Sequence, residues 1–102
     1  MHGLGDSAAG HVDIFLDEKL DIAPTNCKVI LPTATPRAVS VNNGMKMNSW
    51  FDIRFTPPGA KVEEKYSQEE VKESVRLIRN IVDKEAQSYN GDYSKIFMGG
   101  FS

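Results

Sequence analysis

The sequence predicts an α/β fold, on three observations. Two short apolar runs, Cys27–Pro32 and Ile96–Met98, each stop at a proline or glycines and read as buried strands. Between them, from Ser67 to about Tyr89, lies one strongly amphipathic helical pattern. Strand, excursion, helix and strand make a βαβ unit, whose two strands are expected to run parallel with a right-handed crossover.

The chain opens on a glycine-rich stretch, His2-Gly-Leu-Gly-Asp-Ser7. Val12, Phe15, Leu16 and Leu20 then recur on one face of a helix expected over about Gly10–Leu20, closed by Pro24 and Asn26. Pro32 ends the first strand. From Thr33 to Thr56 periodicity fades and turn residues dominate (Pro36, Asn42, Asn43, Gly44), so a long loop is expected, with one short strand near Lys46–Phe51. The aromatic pair Trp50–Phe51 reads as buried and argues against disorder there. After the breaker Thr56-Pro-Pro-Gly-Ala60, Ser67 and Glu70 form the Ser-x-x-Glu pattern of a capping box. Val71, Val75, Ile78 and Val82 give the helix its stripe, Lys72, Glu73, Arg76, Arg79 and Asp83 its solvated face, and Asn90-Gly91 its stop.

The 102 residues are 40% apolar and 25% charged, the size and composition of one small globular domain. Twelve basic against fourteen acidic residues leave a net charge of −2 with the signs interspersed, which offers no field for nucleic acid or for an anionic membrane surface. No apolar run approaches the roughly 20 residues of a membrane span, so stable membrane insertion is not expected. The single cysteine, Cys27, sits beside an apolar run; a buried reduced thiol and a reducing, cytoplasmic compartment are expected.

Chemistry concentrates at the two ends. Met98-Gly-Gly-Phe-Ser102 is the first half of the Gly-x-Ser-x-Gly elbow that presents a nucleophilic serine at the carboxyl end of a strand. Gly100 supplies the small residue expected two positions before the serine. By itself Gly-x-Ser also marks ordinary strand-end turns. Gly3 and Gly5 would let backbone N–H groups approach an oxyanion, although a Gly-x-Gly start by itself is more often the sign of a flexible terminus. A dinucleotide fingerprint fails, because position 8 is alanine and no strand precedes the glycines.

Taken together, "HGLGDS", "VILPTATPRAVSVNNGMKMNSWFDI" and "IFMGGFS", in this order and spacing, closely resemble the acyl-protein thioesterase, lysophospholipase and carboxylesterase family of α/β-hydrolases. The resemblance runs over nearly the whole chain, and "NGMKMNSWFD" is its most specific part. It implies a partial α/β-hydrolase domain over residues 1–102. The implied activity is serine-dependent cleavage of acyl thioesters or oxyesters without cofactor or metal, the substrate being an acylated protein, a small ester or a lysophospholipid. By position, Ser102 corresponds to the nucleophile. Leu4 corresponds to the residue whose N–H is one oxyanion donor and whose side chain borders the acyl site, and Ile53 looks like a pocket-lining residue. Trp50 is carried as an acyl contact, although aromatics ahead of a site, Phe51 included, are more often packing. His2 matches a loop-supporting position; a catalytic histidine in this fold follows the serine. Thr35, Ala38 and Asn48 depart from a more proline-rich family pattern, which is expected to alter loop stiffness only.

The departure that matters is length. The resemblance implies that the triad aspartate and histidine both follow the serine, and the chain is expected to be cut at both ends and inactive by itself. Losing triad members costs on the order of 10⁴–10⁶ in rate. His11 with Asp13 is a solvated helix face and no substitute. The alternative is a non-catalytic interaction module of the same fold.

Overall fold

The computed structural model describes residues 1–102. The element order is α1 (Ala9–Leu16), β1 (Pro36–Val39), β2 (Met45–Asn48), α2 (Val62–Lys65) and α3 (Gln68–Gln87), with single 3₁₀ turns at Ser40–Asn42 and Tyr93–Lys95.

Helix α1 starts where Thr33 Oγ1 accepts the Ala8 N–H, and it is shorter than its apolar pattern. It stops at Leu16 because the Asp17 carboxylate accepts the Lys19 N–H and draws the backbone into a turn, after which Asp21 sits at φ +44°. Leu20 therefore lies outside the helix, 53% exposed.

The stretch expected to be mostly loop contains an antiparallel hairpin. Pro36 pairs with Asn48 and Val39 with Met45, so the expected strand near Lys46–Phe51 is β2 and its partner β1 was unforeseen. The turn obeys the chemistry read from sequence: Asn43 and Gly44 take φ +57° and +73°, conformations open to asparagine and glycine. Val39 is wholly buried beneath the hairpin.

Helix α3 runs close to its expected bounds, and Gly91 (φ +77°) returns its N–H to Ala86 O. Only half of the capping box forms. Ser67 Oγ accepts the Glu70 N–H, but the Glu70 carboxylate turns away from the cap. It takes the Asp52 N–H at 2.6 Å and pairs with Arg37 at 3.2 Å, while Arg37 Nε donates to Ser49 O at 2.8 Å. Helix α3 thereby holds both the hairpin and the Ser49–Asp52 loop.

The parallel ladder between Cys27–Pro32 and Ile96–Met98 is absent. The only backbone hydrogen bond donated from the first segment is Cys27 N to Pro24 O. The terminal segment instead aligns with the amino terminus: Met1 N donates to Gly99 O at 2.6 Å and Phe101 N to Met1 O at 3.1 Å. Those are the two bonds a parallel pair exchanges around one residue, so parallel pairing occurs with a different partner. No backbone of this chain lies in register with Val29 or Ile30, which stay 40% exposed. Cys27, expected to be buried, is exposed for the same reason.

Burial is sparse and centred on one place. Six residues are buried, and His2, Gly3, Ala34 and Ser49 cluster around the glycine-rich loop. The accessible surface is 7742 Å², against about 5,700 Å² for a compact monomer of this mass. The radius of gyration is 16.0 Å, against about 13 Å for a compact chain of this length. Phe97, Met98 and Phe101, 88%, 67% and 75% exposed, account for part of that excess.

Candidate active site

The parallel contact of Met1 with Gly99 and Phe101 brings the two ends of the chain together. Ser102 lands directly on Gly3. A methyl group built on Gly3 would stand 3.0 Å from Ser102 Cβ, 3.1 Å from Phe101 O and 3.3 Å from Ser102 Oγ, so a side chain here would force Ser102 and the Phe101 carbonyl to give by a few tenths of an ångström. Ser102 itself has φ +67°, a left-handed conformation that is strained for a non-glycine residue, as an elbow turn requires. Gly100, by contrast, is not sterically required by its neighbours: a Cβ there would meet Met1 atoms at an ordinary 3.7 Å or more.

The Leu4 N–H, one peptide beyond Gly3, donates to no acceptor in the chain. The loop around it is secured on three sides. Gly5 N donates to Asn48 O at 2.9 Å and Asn48 Nδ2 to Asp6 O at 3.0 Å, tying the loop to β2. Asp6 N closes a turn onto Gly3 O. The His2 ring spans from Ala34, whose N–H is donated to Nε2 at 2.9 Å, to Gly3 O, 2.8 Å from Nδ1. Accepting at Nε2 assigns the proton of the neutral ring to Nδ1, which donates to Gly3 O.

Trp50 and Phe51 are half-buried and face different neighbours. The Trp50 indole N–H donates to His2 O at 2.9 Å and its ring lies 5.1 Å from the imidazole. Phe51 packs edge-on to Tyr66, a packing role. Ile53, half-buried, bridges to Tyr66, and its carbonyl accepts the Val41 N–H; its backbone partners are not in the Leu4 loop. Two hollows run along α3, of about 680 and 110 Å³, the smaller lined by Arg37, Trp50 and Ser74. Neither is lined by Ser102, Leu4 or Ile53.

No general base sits on Ser102. Both nitrogens of His2 are engaged, and His11 Nδ1 faces Ser7 O at 3.4 Å and the Asp6 carboxylate at 3.5 Å. His11 therefore pairs with Asp6, not with Asp13. No group of three or more His, Cys, Asp or Glu is placed to hold a metal ion, and no helix is long and apolar enough to cross a membrane. Burial pushes the Asp52 carboxyl up, but hydrogen bonds from Ser40 Oγ–H and N–H, the nearby Arg54 charge and the Ile53 N–H outweigh it, holding Asp52 below its ordinary value.

The sequence profile of the Phospholipase/Carboxylesterase family matches residues 1–102. The chain belongs to this family. As a phospholipase/carboxylesterase family chain it is 34% identical to acyl-protein thioesterase 1 of Yarrowia lipolytica, with 100% of its own residues and 43% of the relative's aligned. It is 35% identical to acyl-protein thioesterase 1 homolog 1 of Dictyostelium discoideum, covering 99% and 42%. Its fold superposes on the crystal structure of Arabidopsis thaliana SOBER1 with a TM-score of 0.73 at 29% identity, over 99% of this chain and 46% of that one. The chain thus spans less than half the length of these relatives, and its fold is a partial α/β-hydrolase.

Within this phospholipase/carboxylesterase architecture, the structure joins Ser102 to the Gly3–Leu4 loop and joins Trp50 to that loop through His2. Two contributors escaped the sequence reading. Asn48, read as a change of stiffness, bonds the loop through both its side chain and its carbonyl, and its amide at a position where proline is common was the available signal. Ala34 orients His2 through a backbone N–H, which no side-chain pattern encodes.

Proposed function

We propose that residues 1–102 are the nucleophile-bearing part of an α/β-hydrolase domain whose activity is hydrolysis of acyl thioesters or oxyesters. The observation that supports it most is Ser102, in a strained left-handed conformation, seated on Gly3 beside the free Leu4 N–H. The names of the relatives, acyl-protein thioesterases, favour acylated protein as substrate, with small esters or lysophospholipids as the alternative within the same chemistry.

In this mechanism Ser102 Oγ attacks the acyl carbonyl carbon and loses its proton to a general base. The carbonyl electron pair moves onto oxygen, and that oxyanion accepts the Leu4 N–H. Collapse expels the thiol or alcohol, protonated by the same base, and leaves acyl-Ser102; water then releases the carboxylic acid. The base is assigned to polypeptide other than residues 1–102, because both histidines here are committed elsewhere. The Leu4 side chain and Ile53 are assigned to the acyl group. No cofactor is needed for these steps, and the exposed thiol of Cys27 suits a reducing, cytoplasmic setting.

In a protein that also supplies the general base, a fluorophosphonate probe should label Ser102, and Ser102→Ala should abolish both labelling and hydrolysis of a long-chain acyl thioester. A folded protein left unlabelled refutes the reading. The sparse burial favours a second reading, an interaction module that binds through Phe97, Met98 and Phe101. It predicts a stable complex and no labelling.

A further inference from the structure

We infer that Trp50 is a positioning residue for the oxyanion-binding peptide, acting through His2, and not a wall of the acyl pocket. The inference rests on the hydrolase reading above and deepens it.

The donor group, Leu4 N–H, shares one peptide plane with Gly3 C=O. Every peptide bond of the chain is trans, so these two groups point in opposite directions. Whatever grips the carbonyl therefore aims the N–H. His2 Nδ1–H and Asp6 N–H both donate to Gly3 O, at 2.8 and 3.2 Å, and hydrogen bonds to a carbonyl also polarise the N–H of the same amide. The His2 grip depends on where its own ring and backbone sit. Ala34 N–H fixes the tautomer from one end. Trp50 fixes the rest: its indole N–H holds His2 O at 2.9 Å, and its ring lies 5.1 Å from the imidazole, tilted by 32°.

Trp50 is itself anchored from the far side. Ser74 Oγ–H of α3 donates to Trp50 O, and the Arg37 to Ser49 O bond holds the preceding peptide. One polar chain thus runs from α3 through Trp50 and His2 to the Gly3–Leu4 amide. His2 is 5% exposed, so its bond to Gly3 O is shielded from competing water. The indole gives its N–H and a ring contact to His2, and Trp50 also lines the hollow of Arg37 and Ser74.

The test is Trp50→Phe in the active protein, assayed with thioesters of increasing acyl length. The phenyl ring keeps part of the stacking surface and loses the N–H. A misaimed donor should lower kcat at every chain length, by up to about 10²-fold, with KM unchanged and with slower fluorophosphonate labelling of Ser102. A KM that rises with acyl length while kcat holds places Trp50 in the pocket wall and overturns the inference; so does a variant with both constants intact. If Trp50→Phe fails to fold, 3-benzothienylalanine at position 50 removes the donor at constant shape, and the same two outcomes decide. His2→Asn, whose amide reaches the Nδ1 site, should keep more kcat than His2→Gln, which reaches only the Nε2 site; the reverse order overturns the proposed grip. Wild-type protein unlabelled at Ser102 would instead sink the hydrolase reading itself.

Discussion

Gly3→Ala is the most informative single substitution, because its consequence can be worked from three distances. The added methyl would lie 3.0 Å from Ser102 Cβ, 3.1 Å from Phe101 O and 3.3 Å from Ser102 Oγ. Ordinary contact begins near 3.4 Å, so the serine must retreat by about 0.4 Å. It cannot do so by rotating its side chain, since one clash is with its own Cβ and another with the carbonyl before it. Scaled from roughly 10²-fold per ångström of misplacement, the retreat costs about sixfold in kcat/KM, with about 1–3 kcal/mol of stability lost to overpacking. Gly44→Ala is the matched control. It forces alanine to φ +73° in the hairpin turn, where nothing lies within 4 Å, and costs about 1–2 kcal/mol without touching the serine. The assay is ester hydrolysis by the active protein, base included, under saturating and limiting substrate, beside urea unfolding of each variant. Equal activity in Gly3→Ala and Gly44→Ala at equal stability would refute the placement of Ser102 on Gly3.

Two further substitutions probe the scaffold. Arg37→Ala leaves the buried Ser49 without the donor to its carbonyl and removes the partner of Glu70. A loss of about 1–3 kcal/mol is expected in urea unfolding, and Arg37→Lys should recover little because it lacks the fork. Asp52→Asn tests the depressed carboxyl: a native pKa held below the unfolded value contributes stability in full above about pH 4, and that contribution fades as pH falls through the native pKa. The stability gap between wild type and Asp52→Asn should therefore be widest near neutral pH and close under acid; a gap that widens on acidification contradicts the assignment.

Local signals in the sequence carried the elements whose causes are local. The signals for α3, its Ser67 cap and its Asn90-Gly91 stop lie within a few residues of what they control, and the helix and both ends appear close to where they were expected, although Val75 of the stripe stays 57% exposed. The same holds for the Asn43-Gly44 turn. The family was legible too, because its motifs are contiguous strings.

What the tertiary structure alone decided is partnership. Glu70 has the spacing of a capping box, yet an arginine 33 positions earlier in the chain and the Asp52 amide offered a better-satisfied carboxylate, so the box stayed half made. Cys27–Pro32 and Ile96–Met98 have the composition of paired strands, but a ladder requires a neighbour in register; the one parallel contact, of Met1 with Gly99 and Phe101, lies beyond both. Trp50 is the sharpest case. Its sequence identity is compatible with packing, ligand contact or support, and only the direction of one indole N–H, toward the carbonyl of His2 48 residues away, distinguishes them. Hydrogen bonds are directional and their partners here are distant in the chain, so periodicity and composition, which read only neighbours, cannot see them.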